Sequence, residues 1–170
     1  AIYAFLNLTY KGAGAIYLIY QRFLAPQKNL LQRYGHKSWA VITGGAEGIG
    51  RGFARELAKW EFNLVIIDYQ EELLKKTCDE LMMAYPTIQV KPIVADFRNS
   101  AKEGFYDELH EKIGDLDISI LVNNVGACIV QPFAQNDEKA MRELMLINMF
   151  PAALMTRKLL PNMLLRPKRS

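Results

Sequence analysis

Cysteine and histidine are scarce in this 170-residue chain, with two of each. Cys78 and Cys128 form no C-x-x-C pair, which excludes a disulfide scaffold and leaves a reduced compartment or inert buried thiols as the expectation. His36 and His110 have no ligand spacing and no cysteine nearby, so no metal is expected and both read as surface residues. Acid is missing from both ends: no Asp or Glu precedes Glu47, and none follows Glu143. Lys11, Arg22, Lys28, Arg33 and Lys37 occupy the first stretch. Arg157, Lys158, Arg166, Lys168 and Arg169 occupy the last, around a net acidic middle. These bases do not form a contiguous stripe interleaved with aromatics, so nucleic acid is not an expected partner. Two basic ends suit anionic lipid or an acidic partner, or else two solvated tails.

What is present is an ordinary globular composition, 51% hydrophobic and 23% charged, enough for one core and too short for two full domains. Fifteen of the first twenty residues are apolar or aromatic. A helix of about 20 residues rises about 30 Å, the thickness of a bilayer core. Asn7, Thr9 and Lys11 stand against a clean span, since a central Lys costs roughly 2.5–3.5 kcal/mol on insertion. The tyrosines suit an interface. A transmembrane or re-entrant anchor, an interfacial helix and a helix packed on a partner protein all remain open for residues 1–25. Pro26 ends that segment, and residues 26–37 read as a basic linker.

The rest alternates. Ser38–Thr43, Asn63–Asp68, Gln89–Ala95 and Asp117–Asn123 are short apolar runs that read as strands, with Pro92 arguing that the third lies at an edge. Between them, Gly48–Trp60 carries Ile49, Phe53, Leu57 and Trp60 at helical spacing. Glu71–Tyr85 turns Leu73, Leu74, Leu81 and Met82 inward, and Ala101–Ile113 carries Phe105, Leu109 and Ile113. Two more helices are expected near Asp137–Asn148 and Ala152–Leu165. Continuously apolar strands separated by amphipathic helices predict an α/β protein. The expected fold is a Rossmann-type doubly wound parallel sheet, four strands in the order 3-2-1-4, over residues 38–170.

Thr43-Gly44-Gly45-Ala46-Glu47-Gly48-Ile49-Gly50 joins the first strand to its helix. Gly44 suits the turn, Gly48 lets backbone approach a pyrophosphate, and Gly50 lets the helix close on the sheet. Phosphates would sit on the N–H groups and positive dipole end of that helix, near Ile49. Asp68, at the end of the second strand, follows at the spacing of a ribose-binding carboxylate.

These residues resemble the short-chain dehydrogenase/reductase superfamily: T-G-x-x-x-G-I-G at Thr43–Gly50, Ala95-Asp96-Phe97, and Asn123-Asn124-Val125-Gly126. The Y-G-H-K-S-W-A-V-I-T-G entry, Ile147-Asn148 and Leu160-Pro161-Asn162-Met163 are similar to the membrane-associated branch. That branch holds the 17β-hydroxysteroid dehydrogenases and very-long-chain 3-oxoacyl-CoA reductases. The resemblance implies that Asp96 contacts adenine, that Asn124, Val125 and Gly126 flank the cofactor ribose, and that Asn148 orders a proton-relay water. The asparagines could instead bridge strands, and Asn148 could cap or kink a helix.

The family's reaction moves a hydride between nicotinamide and a carbonyl, with a Tyr-x-x-x-Lys pair and a Ser handling the proton. None of the eight tyrosines has Lys four positions later, and of the four catalytic positions only Asn148 is matched. The chain therefore reads as an incomplete Rossmann domain, with an open fourth-strand edge that a protein partner would cover. Two functions follow. One is a non-catalytic accessory subunit of a membrane-bound complex. The alternative is the N-terminal part of an active membrane-bound NAD(P)H-dependent 3-oxoacyl-CoA or 17β-hydroxysteroid oxidoreductase. The resemblance favours the endoplasmic reticulum; an accessory role fits the mitochondrial inner membrane as well. NAD(H) is expected over NADP(H), because Asp68 and Glu47 would face a 2′-phosphate. At about 4 Å and an effective dielectric of about 20, each like charge costs roughly 4 kcal/mol before screening. Asp68 could instead cap the helix beginning at Gln70–Glu72.

Overall fold

The computed structural model describes residues 2–25 and 29–167. The expected end of the N-terminal segment at Pro26, and the bases Lys28, Lys168 and Arg169, lie outside the described residues. Four parallel strands form one sheet: β1 (Trp39–Thr43), β2 (Asn63–Asp68), β3 (Val90–Val94) and β4 (Ile118–Val122). Their order is β3-β2-β1-β4, as expected, and Pro92 does lie on an edge strand, opposite Ile66 of β2.

The period of two along each strand divides the core. Ala40, Ile42, Leu64 and Ile66 face one layer, formed by α3 (Gly48–Lys59) and α4 (Glu71–Ala84). Val41, Val65, Ile67 and Ile93 face the other, where α5 (Phe105–Ile113) and α7 (Phe150–Leu164) supply Leu109, Ile113, Met155 and Leu159. Between α5 and α7 the chain forms β4 and then α6 (Glu138–Asn148). Asp137 opens α6, its carboxylate accepting the Ala140 N–H at 2.7 Å.

Four expectations need correction, the first being Met82, expected inward on α4 but 39% exposed. The inward face of α3 is Gly50, Ala54, Leu57 and Ala58, while Ile49 is 75% exposed and Phe53 47%. The start of the helix lies so close to the glycine turn that no side chain fits at Gly50, and Ile49 and Phe53 are turned outward while Leu57 packs inward. Residues 26–37 are not only a linker. They contain α2 (Leu30–Tyr34), with the Asn29 side chain accepting the Gln32 N–H at its start. Leu30, Leu31 and Tyr34 pack on the first core layer. Finally, His110 is half-buried, and its Nδ1 has no hydrogen-bond partner among the described residues.

Nor do Lys158 and Arg166 belong to a loose tail. Lys158 pairs with Asp107. Arg166, its side chain only 7% exposed, donates from Nε to Asp117 Oδ1 at 2.5 Å. A terminal nitrogen of Arg166 donates to the Tyr34 carbonyl at 2.6 Å. One guanidinium thus ties the end of α7 to the start of β4 and the end of α2.

The N-terminal α1 (Ile2–Ile19) runs into a π-helical turn at Tyr20–Leu24. Tyr10, Ile16, Tyr17, Leu18, Phe23 and Leu24 are all exposed there. Among the described residues, no helix is long and apolar enough to cross a membrane.

Candidate functional site

A cleft of about 550 Å³ opens at the carboxyl ends of the four strands, where open α/β sheets place their ligands. Gly44, Ile49, Asp68, Asp96, Asn124, Val125 and Gly126 line it together. Gly48, Gly50 and Asn148 do not line it; they support what does.

The floor is set by the turn after β1. Gly44 takes φ +63°, and a Cβ there would lie 3.0 Å from the Val125 Cα. At Gly50 the approach is closer still: a Cβ would meet the Gly44 carbonyl oxygen at 2.1 Å and Asn124 Nδ2 at 2.5 Å. Gly50 therefore lets α3 begin directly behind the turn. At Gly48 no atom lies within 4 Å of where a Cβ would sit. The first N–H groups of α3 have no intrahelical partner, and Ile49 in that first turn lines the cleft. This cradle fits a pyrophosphate.

Thr43 and Asn124 lock the two central strand ends together. Thr43 Oγ1 accepts the Asn124 and Val125 N–H groups at 3.0 and 3.1 Å. Asn124 Nδ2 donates to the Thr43 and Gly44 carbonyls at 3.0 and 2.8 Å. Asn124 is therefore a strand bridge, and it also lines the cleft. Asn148 braces the same rim from α6. Its Oδ1 accepts the Ala127 N–H at 3.0 Å, and its Nδ2 donates to the Ala127 and Leu144 carbonyls, both at 2.9 Å.

Asp68 is only 5% exposed. Its carboxylate accepts the Ala46 N–H at 3.1 Å and the Gln70 N–H at 3.2 Å, fastening the glycine turn to the end of β2. The residue before α4 is Gln70, which makes no side-chain cap, so Asp68 holds the turn rather than capping that helix. Asp96 accepts the Arg98 N–H at 2.9 Å and the Arg98 Nε–H on both oxygens. The Arg98 hydrogen bond holds the Asp96 carboxyl below the usual carboxylate range. Arg98, Glu143 and Ile147 also line the cleft. Ile147 stands in the Ile147-Asn148 motif, but nothing in the sequence marked Arg98 or Glu143, because the turn after β3 and α6 meet only through folding.

Comparison with known proteins agrees with this geometry. The family described as short chain dehydrogenase matches residues 38–170. A very-long-chain 3-oxoacyl-CoA reductase of Aspergillus terreus is 37% identical over 147 residues, 85% of this chain and 41% of the relative. Among solved structures, a short chain dehydrogenase/reductase from Burkholderia phymatum in complex with NAD has a TM-score of 0.65 and 28% identity, covering 78% of this chain and 46% of that one. L-sorbose reductase from Gluconobacter frateurii, complexed with NADPH and L-sorbose, has a TM-score of 0.68 at 23% identity, covering 75% and 48%. The chain spans about half the length of the curated relatives it matches, from 41% to 51%.

Proposed function

The chain belongs to the short-chain dehydrogenase family, and on that premise we propose that it is the dinucleotide-binding part of a very-long-chain 3-oxoacyl-CoA reductase. The cleft over the glycine turn carries this reading, supported by the reductase names of the relatives. Nothing in those names supports an accessory subunit, so the second of the two expected functions is preferred. When bound, the dinucleotide supplies the hydride that reduces a carbonyl.

The residues of this chain bind and orient. The N–H groups at Gly48–Gly50 hold the pyrophosphate, and the α3 dipole favours its charge. Asp68 accepts from the adenosine ribose hydroxyls with the lone pairs its backbone partners leave free. Asp96 borders the adenine, and Asn124–Gly126 border the ribose. Asn148, by fixing Ala127, holds the rim where the family's reacting groups meet. Asn148 is thus a positioning residue in this chain, and a water-ordering role is compatible with its place at the cleft edge.

We assign NAD(H) preference over NADP(H), on the buried carboxylate of Asp68 and on Glu47 beside it. Glu47 accepts from Gln70 Nε2 at 3.2 Å and lines the same cleft. Residues 1–25 are assigned to a membrane surface of the endoplasmic-reticulum type, on their exposed aromatic and aliphatic side chains and the absence of acid. Calorimetric titration with NADH and NADPH tests the site. Saturable binding, tighter for NADH, is expected; no binding of either overturns the reading.

A further inference from the structure

Four carboxylates line the cleft, Glu47, Asp68, Asp96 and Glu143, and among the described residues Arg98 is the single base that lines it. Arg98 lies two residues past the end of the third strand's Ala95-Asp96 segment, on the short 3₁₀ turn Phe97–Asn99. Its guanidinium carbon lies 5.7 Å from the centre of the Tyr69 ring, which also lines the cleft. Tyr69 directly follows Asp68, so the guanidinium stands beside the strand end that the reading above gives to the adenosine ribose.

The guanidinium is held there twice. Asp96 takes its Nε–H, and one terminal nitrogen lies 2.7 Å from Asp96 Oδ2. The Tyr69 face adds a cation–π contact. A guanidinium has five N–H donors in a rigid fork. Asp96 occupies one edge of that fork, and the other terminal nitrogen keeps its donors for a ligand. The side chain is 53% exposed, so exchanging a carboxylate for a phosphate needs no rearrangement of the core.

We propose that Arg98 is the residue that sets tolerance for a 2′-phosphate at this site, countering the acids around it. The proposal rests on the dinucleotide reading of the cleft and deepens it. Asp68 and Glu47 set the preference for the unphosphorylated ribose. Arg98 supplies the one positive charge that a 2′-phosphate can meet, and Asp96 competes with the phosphate for it. Removing the guanidinium therefore widens the preference for NAD(H), and releasing it from Asp96 narrows that preference.

The test is the ratio of NADPH to NADH dissociation constants, measured by calorimetry for the wild-type chain, Arg98→Ala and Asp96→Asn. The pair 2′,5′-ADP and 5′-AMP serves as probes of the adenosine end alone. Asn retains the side-chain acceptor that caps the turn at Arg98, Arg98 is exposed and Asp96 partly so, so both variants are expected to fold, with at most the small loss of one surface ion pair. In Arg98→Ala the ratio is expected to rise about tenfold, with NADH affinity changed less than about threefold. In Asp96→Asn it is expected to fall, even where both affinities weaken. Equal losses for both dinucleotides in Arg98→Ala, or a ratio unmoved in both variants, overturn the role of Arg98 while leaving the cleft a dinucleotide site. A wild-type chain that binds none of the four probes overturns the underlying reading and this assignment with it.

Discussion

At the scale of single residues, the turn after β1 shows how little space the site allows. In Gly50→Ala the new methyl group would meet a backbone carbonyl at 2.1 Å, a contact that no side-chain rotation relieves. The variant is expected to lose about 1–3 kcal/mol of stability and to bind dinucleotide at least about tenfold more weakly. Chemical denaturation and calorimetry measure the two effects separately. The cysteines offer a second check. Burial pushes the Cys78 thiol up to about 11, whereas Cys128 is exposed. Iodoacetamide at neutral pH should therefore label Cys128 in the native chain and reach Cys78 only on unfolding. Rapid native labelling at Cys78 would contradict the packing of α4 on the sheet.

At the scale of elements, the N-terminal quarter divides into a helix without a seat and a helix with one. Among the described side chains, none of α1 or the π-helical turn is seated in either core layer, while α2 contributes Leu30, Leu31 and Tyr34 to the first. A chain beginning at Asn29 should keep the stability of the whole and lose sedimentation with vesicles containing anionic lipid. A chain beginning at Ser38 should lose stability as well, on the order of 2 kcal/mol for the apolar side chains stripped away. If the shorter cut leaves vesicle binding intact, the membrane assignment of residues 1–25 is wrong. Equal stability of the two truncated chains would show that α2 is a passive linker after all.

Across the whole molecule, a few ion pairs connect segments far apart in sequence. Hydrogen bonding from Arg166 holds the Asp117 carboxyl below its ordinary range, and Lys158 does the same to Asp107. In the unfolded chain these groups titrate near about 3.9. Between that value and their lower native values, unfolding takes up protons, so the stabilisation is fully present above the ordinary carboxylate range. It is lost as the pH falls through the depressed native values. Denaturation midpoints should thus be flat near neutrality and drop on acidification. Asp117→Asn should be less stable by about 1 kcal/mol at pH 7, a modest figure because Asp117 itself is exposed. The gap should close in acid; a gap that persists at pH 2 would mean that the substitution acts through packing. The same scale contains the free side of β4, which pairs with β1 alone among the described strands. We assign that edge to a further strand or a protein partner, since an unpaired row of N–H and C=O groups invites one.

Apolar runs at Asn63–Asp68 and its neighbours were enough to define the strands, because a strand buried on both faces must be apolar at every position. Pro92 placed its strand at an edge for want of an N–H. The glycine turn and the carboxylate Asp68 were legible for a similar reason, since turn geometry and strand-end charge are local, whereas Asp96 was reached through the family resemblance. The face of α3 was not, because periodicity counts Ile49 and Phe53 as core, whereas the close approach at Gly50 admits no side chain there and both are turned outward. Arg98, Glu143 and the brace from Asn148 to Ala127 were equally invisible. They depend on which segments the fold sets side by side, and a contact across the cleft leaves no spacing in the chain.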